Sequence, residues 1–138
     1  MNYSLNSNRI FTPDIPVIHR DEEYDSRGFE VLRDMQSRHF WYLGRHRFLL
    51  RALKNQLERV RRRASGLAAV DLGGGCGGWI RYLQTRAPGM FTELALSDSS
   101  LRALELAEPV VGGAARYQTD LLQLGWRDRW DVVFLLDV

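Results

Sequence analysis

From Phe29 onward the apolar positions repeat with a helical period. Phe29, Leu32, Met35, Phe40 and Leu43, then Phe48, Leu49, Ala52, Leu53, Leu57 and Val60, gather on single helix faces. The pattern predicts two helices, over 28–42 and 45–63, parted at Gly44. Arg59, Arg61, Arg62 and Arg63 close the second, where cations complement the helix dipole, and Ser65-Gly66 stops it. Residues 1–27 show neither a helical nor an alternating period and are interrupted by Pro13 and Pro16, so an irregular arm is expected there. Its Asp21-Glu22-Glu23 run reads as solvated.

After Leu67 the texture changes to short apolar runs alternating with helical stretches. Leu67–Leu72 reads as a buried parallel strand. Trp79–Arg86 reads as a helix closed by Pro88-Gly89, and Phe91–Ser97 as a second strand. Ser99 or Ser100 caps a helix over Leu101–Glu108 that Pro109 ends. Ala114–Thr119 and Trp130–Leu136 are the third and fourth strands. This alternation predicts an α/β fold, a doubly wound and mostly parallel sheet with N-terminal helices. The expected organisation is an arm over 1–27, a helical lead-in over 28–66 and a ligand-binding α/β unit over 67–138.

Composition narrows the class without naming a function. The chain has 138 residues, 45% of them hydrophobic, enough for one domain with its own core. No apolar run approaches the ~20 residues of a membrane helix, and the N-terminus lacks the basic start and apolar stretch of a secretory signal. Cys76 is the single cysteine, which excludes an internal disulfide and suits a reducing cytoplasm. Residues 1–66 carry 13 Lys/Arg and 8 Asp/Glu, whereas 67–138 carry 6 and 9, leaving a net charge of +2. So weak a field argues against nucleic acid as the main partner.

The candidate chemistry lies in Asp71-Leu72-Gly73-Gly74-Gly75-Cys76-Gly77-Gly78, between a predicted strand and a predicted helix. Glycines there let a ligand approach the main chain, and the helix N-terminus favours an anionic group. Gly73, Gly75 and Gly78 satisfy the dinucleotide pattern G-x-G-x-x-G. Asp71, Gly73, Gly75 and Gly77 satisfy a second pattern, acidic-x-G-x-G-x-G. Asp98 follows at the end of the second strand, where a carboxylate accepts ribose hydroxyls or, on the bland reading, caps a helix. Asp120 and Leu121 end the third strand. Asp131 and Asp137 bracket the apolar fourth.

The second pattern, with Asp98, Asp120-Leu121 and Asp137 in order, resembles the class I S-adenosylmethionine-dependent methyltransferases. The segment His39-Phe40-Trp41-Tyr42-Leu43-Gly44-Arg45-His46-Arg47-Phe48 is similar to an aromatic-then-arginine stretch that bacterial members carry before the glycine loop. The resemblance spans about residues 30–138. It implies S-adenosylmethionine as cofactor and a small-molecule or glycan-type methyl acceptor. It implies that Gly73, Gly74, Gly75 and Gly77 pass beneath the methionine and ribose, and that Asp71 shapes the loop. Asp98 with Ser99 would hold the ribose, and Asp120 with Leu121 the adenine. The Leu136-Asp137 backbone would meet the methionine amine, and Arg45 or Arg47 the carboxylate, with Trp41 or Tyr42 as a wall. The same likeness implies a sheet holding strands 3-2-1-4 only, hence a fragment truncated after the fourth strand, with that strand an apolar edge open to self-association. No general base is assigned.

Two other functions stay open: an NAD(P)-binding oxidoreductase domain and a non-catalytic interaction module. A nucleophilic Cys76 is discounted, since small residues of many kinds suit its place in such a loop. His19, His39 and His46 show no metal spacing. The Arg59–Arg63 cluster reads first as a solvated helix end rather than a contact for RNA or acidic lipid.

Overall fold

A computed structural model describes residues 1–20, 24–60 and 65–136. Asp21-Glu22-Glu23, Arg61–Arg63 and Asp137 therefore lie outside the described residues. The chain forms strands β1 (Tyr3–Leu5), β2 (Phe11–Pro13), β3 (Leu67–Leu72), β4 (Phe91–Asp98), β5 (Ala115–Gln118) and β6 (Val132–Leu135). Helices α1 (Phe29–Arg38), α2 (Phe40–Arg59), α3 (Gly78–Arg86) and α4 (Leu101–Val111) complete the α/β architecture, with short 3-10 turns at Ser26–Gly28 and Leu121–Gln123. Among the described residues, no helix is long and apolar enough to cross a membrane.

All strands form one six-stranded sheet in the order β1-β2-β5-β4-β3-β6. β1 and β2 pair antiparallel, and every other pairing is parallel. A sheet of four strands only is thus corrected: the segment read as an irregular arm supplies two more. At three residues each, these strands are too short to display alternation. Long-range contacts hold them. Ile10 is fully buried with Ile80, Leu96 and Leu104, and the Phe11 ring stacks on Tyr117 at 4.7 Å. The buried Arg116 guanidinium donates to Leu104 O at 2.8 Å and to Asn8 O at 3.0 Å, pinning the hairpin turn and α4 to β5. Two carbonyl acceptors suit a buried cation better than an apolar wall would.

The break between the first two helices falls at His39, not Gly44. His39 adopts extended backbone (ψ 130°), and its Nδ1 accepts the Trp41 N–H as an N-cap. Gly44 lies inside α2, where a Cβ would meet nothing within 4 Å. A 20-residue helix that buries His46, Leu50 and Leu57 tolerates the ~1 kcal/mol of one interior glycine. Helix α4 likewise runs past Pro109 to Val111, whose side chain is fully buried, and the Gly112 amide closes on Glu108 O at 3.2 Å. Ser100 is the α4 cap: its Oγ accepts the Ala103 N–H at 3.3 Å.

The sheet is covered differently on its two faces. On one, Leu50 and Leu57 of α2 and Trp79 and Leu83 of α3 pack with Val132 and Phe134. On the other, Val70, Leu72 and Ala95 lie under Tyr117, Trp126 and Trp130 rather than under a helix. Tyr3 stacks on Trp126 at 5.7 Å, so the hairpin joins this aromatic lid. β6 pairs only with β3 among the described residues and leaves Val133 and Leu135 exposed.

Candidate functional site

A cavity of about 600 Å³ opens at the C-terminal ends of β3, β4 and β5. That edge is where open parallel sheets bind ligands, because strand ends and helix starts leave backbone groups unpaired there. Its floor is Gly73, Gly74 and Gly75. Gly73 and Gly75 adopt φ values of +68° and +56°, which a side chain would strain. Gly74 has ordinary backbone, yet a Cβ there would collide with the Asp71 carboxylate and Leu96. Its amide donates to Ser97 O at 3.1 Å, tying the loop to β4.

Gly77 plays another part. It lies outside the cavity lining, with φ +79° at the N-cap of α3, and a Cβ there would collide with Val111 and press on Leu96. It lets α3 approach the sheet and α4 closely. Gly78 faces Gln36 instead: the Gln36 Oε1 accepts the Gly78 N–H at 3.1 Å, so α1 caps α3. The Cys76 thiol donates to Phe29 O at 3.2 Å, and Leu32 lies against Gly75, so α1 roofs the loop.

Three carboxylates stand at the C-terminal ends of adjacent strands: Asp71 is next to last in β3, Asp98 closes β4 and Asp120 follows β5 by two residues. Asp71 is buried at the end of β3 and lines the cavity. Asp98 lines it too; its Oδ2 accepts the Gly75 N–H and its Oδ1 the Ser100 N–H, both at 2.9 Å. Burial pushes the Asp98 carboxyl above its ordinary pKa, against the pull of those amides. Asp120 caps the turn at Leu121–Gln123, its Oδ1 accepting the Leu122 N–H at 2.9 Å, and Leu121 joins the wall beside it. Thr119, also in the wall, is held by a hydrogen bond between its hydroxyl and that of Ser97.

Other expected residues divide. Ser99 and Arg45 line the cavity, and the Arg45 guanidinium sits 5.0 Å over the Trp41 ring. Tyr42 and Leu136 are in the wall; Trp41 and Arg47 are not. Asp137 lies outside the described residues.

Ile18, His19, Arg20 and Tyr24 close one side of the cavity and were not expected there. The His19 ring bonds the Ser99 hydroxyl through Nδ1 at 2.8 Å and Tyr24 O through Nε2 at 2.9 Å. Only its place on an N-terminal segment pinned to the sheet edge brings it within reach of a serine 80 positions away; nothing local marks it. Gln36 is equally silent in sequence.

Two reactive residue types are quiet here. Burial holds His46 down at a pKa of about 4, among Trp79 and Tyr82. Burial, with the nearby Asp98 charge, pushes Cys76 up to about 11. Among the described residues, no three metal-ligating side chains gather. No family model matches the chain, and no curated protein matches it.

Proposed function

We propose that the chain is the cofactor-binding part of an S-adenosylmethionine-dependent methyltransferase. The observation that carries this reading is the division of labour in the glycine loop. In the dinucleotide pattern the third glycine, here Gly78, is the one that packs helix against strand. Here Gly78 abuts the Gln36 side chain of α1 instead, and it is Gly77 that packs closely, against Val111 of α4 and Leu96 of β4. This division of roles favours the spacing acidic-x-G-x-G-x-G, ending at Gly77. Support comes also from the four parallel strands in the order β5-β4-β3-β6, with Asp120, Asp98 and Asp71 at or next to the C-terminal ends of three neighbours.

The cavity suits such a cofactor. Its volume falls in the usual range of roughly 300–1000 Å³ for small-molecule sites. Each Asp98 oxygen, having accepted one amide, retains a lone pair for a ribose hydroxyl. Asp120 offers its second oxygen to an adenine amino group, and Leu121 offers an apolar surface to the ring. Arg45 offers a cation to a carboxylate. The bound cofactor supplies an electrophilic methyl group on a sulfonium. The residues here bind and orient; holding donor and acceptor in line is itself worth several kcal/mol of barrier. A small-molecule or glycan-type acceptor belongs to this same reading, as does location in the cytoplasm.

The test is calorimetric titration with S-adenosylhomocysteine and, separately, NADH, after circular dichroism confirms folding. Binding of the sulfur nucleoside alone is expected, weakened at least tenfold, about 1.4 kcal/mol, by Asp98→Ala. Because Asp98 also braces the loop, Leu121→Ala is the second variant; it leaves Asp98 and the glycines intact and should weaken the same ligand. A folded chain that binds only NADH would mark an oxidoreductase domain. One that binds neither would overturn the cofactor reading and leave an interaction module as an alternative.

A further inference from the structure

Helix α2 has two working faces. One turns inward with His46, Leu50 and Leu57. The other carries Phe40 and Phe48, which are 79% and 71% exposed, with Gly44 between them and the half-exposed Trp41 alongside. Phe48 follows His46 by two residues, which places it on nearly the opposite side of the helix. Two phenylalanine rings this bare gain free energy if a partner covers them.

Charge indicates what covers them. Arg47, Arg51, Lys54 and Arg59 are all exposed on α2, with Glu58 as the helix's only acid. Among the described residues, none of these four cations is within ion-pairing distance of a carboxylate. We propose that this outer face of α2 docks on an anionic phospholipid surface, the rings entering the headgroup boundary and the cations meeting lipid phosphates. Aromatic side chains bordered by Arg and Lys are the composition of interfacial helices.

The alternatives fit less well. Two copies meeting through this face would bring together two sets of Arg47, Arg51 and Lys54 with only Glu58 of the helix to offset them. Phe40 and Phe48 are eight residues, about 12 Å, apart along the helix, too far to stack on successive bases of RNA. The same helix lends Tyr42, Arg45 and His46 to the cavity wall, so docking would bring the cavity close to the bilayer. This holds whichever ligand the cavity takes.

Flotation with vesicles of phosphatidylcholine, alone or mixed with phosphatidylglycerol, tests the proposal on the full chain. Binding to the anionic vesicles only is expected, lost at high salt, with a blue shift of tryptophan emission that Trp41→Phe removes. The pair Phe40→Ser and Phe48→Ser, and separately Arg47→Glu with Arg51→Glu, should each reduce the bound fraction by about tenfold or more. All four side chains are exposed, and circular dichroism checks each variant. Equal binding to both vesicle types, no binding to either, or variants that bind like the original would overturn it. So would salt-sensitive RNA binding, or a dimer that the phenylalanine pair abolishes, without vesicle binding.

Discussion

The Asp98 carboxylate accepts the Gly75 amide at 2.9 Å across 23 positions of sequence, joining the end of β4 to the turn after β3. The same carboxylate holds the Ser100 amide at the start of α4. One side chain therefore shapes the ligand loop and also faces the cavity. Asp98→Ala should lose both roles, whereas Asp98→Asn keeps one carbonyl acceptor for a loop amide. Thermal unfolding should drop by about 1–3 kcal/mol for the alanine variant, with a smaller loss for asparagine. Equal stability of all three proteins would contradict the bracing role.

The glycines allow a paired test of opposite sign. Gly77→Ala imposes a left-handed conformation on a side chain that also collides with Val111. The two costs together come to about 2–5 kcal/mol. Gly44→Ala sits mid-helix with open space around it and should stabilise by about 0.5–1 kcal/mol. Urea denaturation of both variants checks the pair; a stabilising Gly77→Ala would refute the packing described for the loop.

Stability should fall on the acid side through His46. The folded imidazole titrates at about 4 instead of 6.5 because it is buried. Between those values the unfolded chain takes up a proton that the folded chain refuses. The contribution is thus complete above about pH 6.5 and declines until about pH 4, by about 3 kcal/mol. His46→Phe should flatten that part of the profile. The slope of unfolding free energy against pH, rather than its absolute value, is the readout.

Cys76 should resist alkylation. With a pKa of about 11, roughly one thiol in a thousand is ionised at pH 8. Its side chain is also fully buried. Iodoacetamide should label it only after denaturation, with mass spectrometry counting the adducts. Rapid labelling of the folded chain would show that α1 lifts from the loop.

Much of the α/β framework is legible in the chain because its cues are local. β3 and β6 are mostly apolar runs, Ser100 stands where a helix must be capped, and Gly73 to Gly75 mark a turn that needs bare backbone. Asp71, Asp98, Asp120 and Leu121 can be picked out because each lies at or just past the end of a strand, and strand ends gather at one edge. Other features have no local cue. The β1-β2 hairpin is three residues a side and forms because Ile10 fills a gap between α3, α4 and β4 while Arg116 finds two carbonyls. The helix break moves from Gly44 to His39 because burial of one continuous α2 face outweighs a single glycine's propensity. His19 and Gln36 reach the site, and Gly77 rather than Gly78 packs α3 against its neighbours, through contacts that span tens of positions. Periodicity and turn chemistry act over a few residues and can be read from them. Which side chains meet across the molecule is settled only when the layers close on one another.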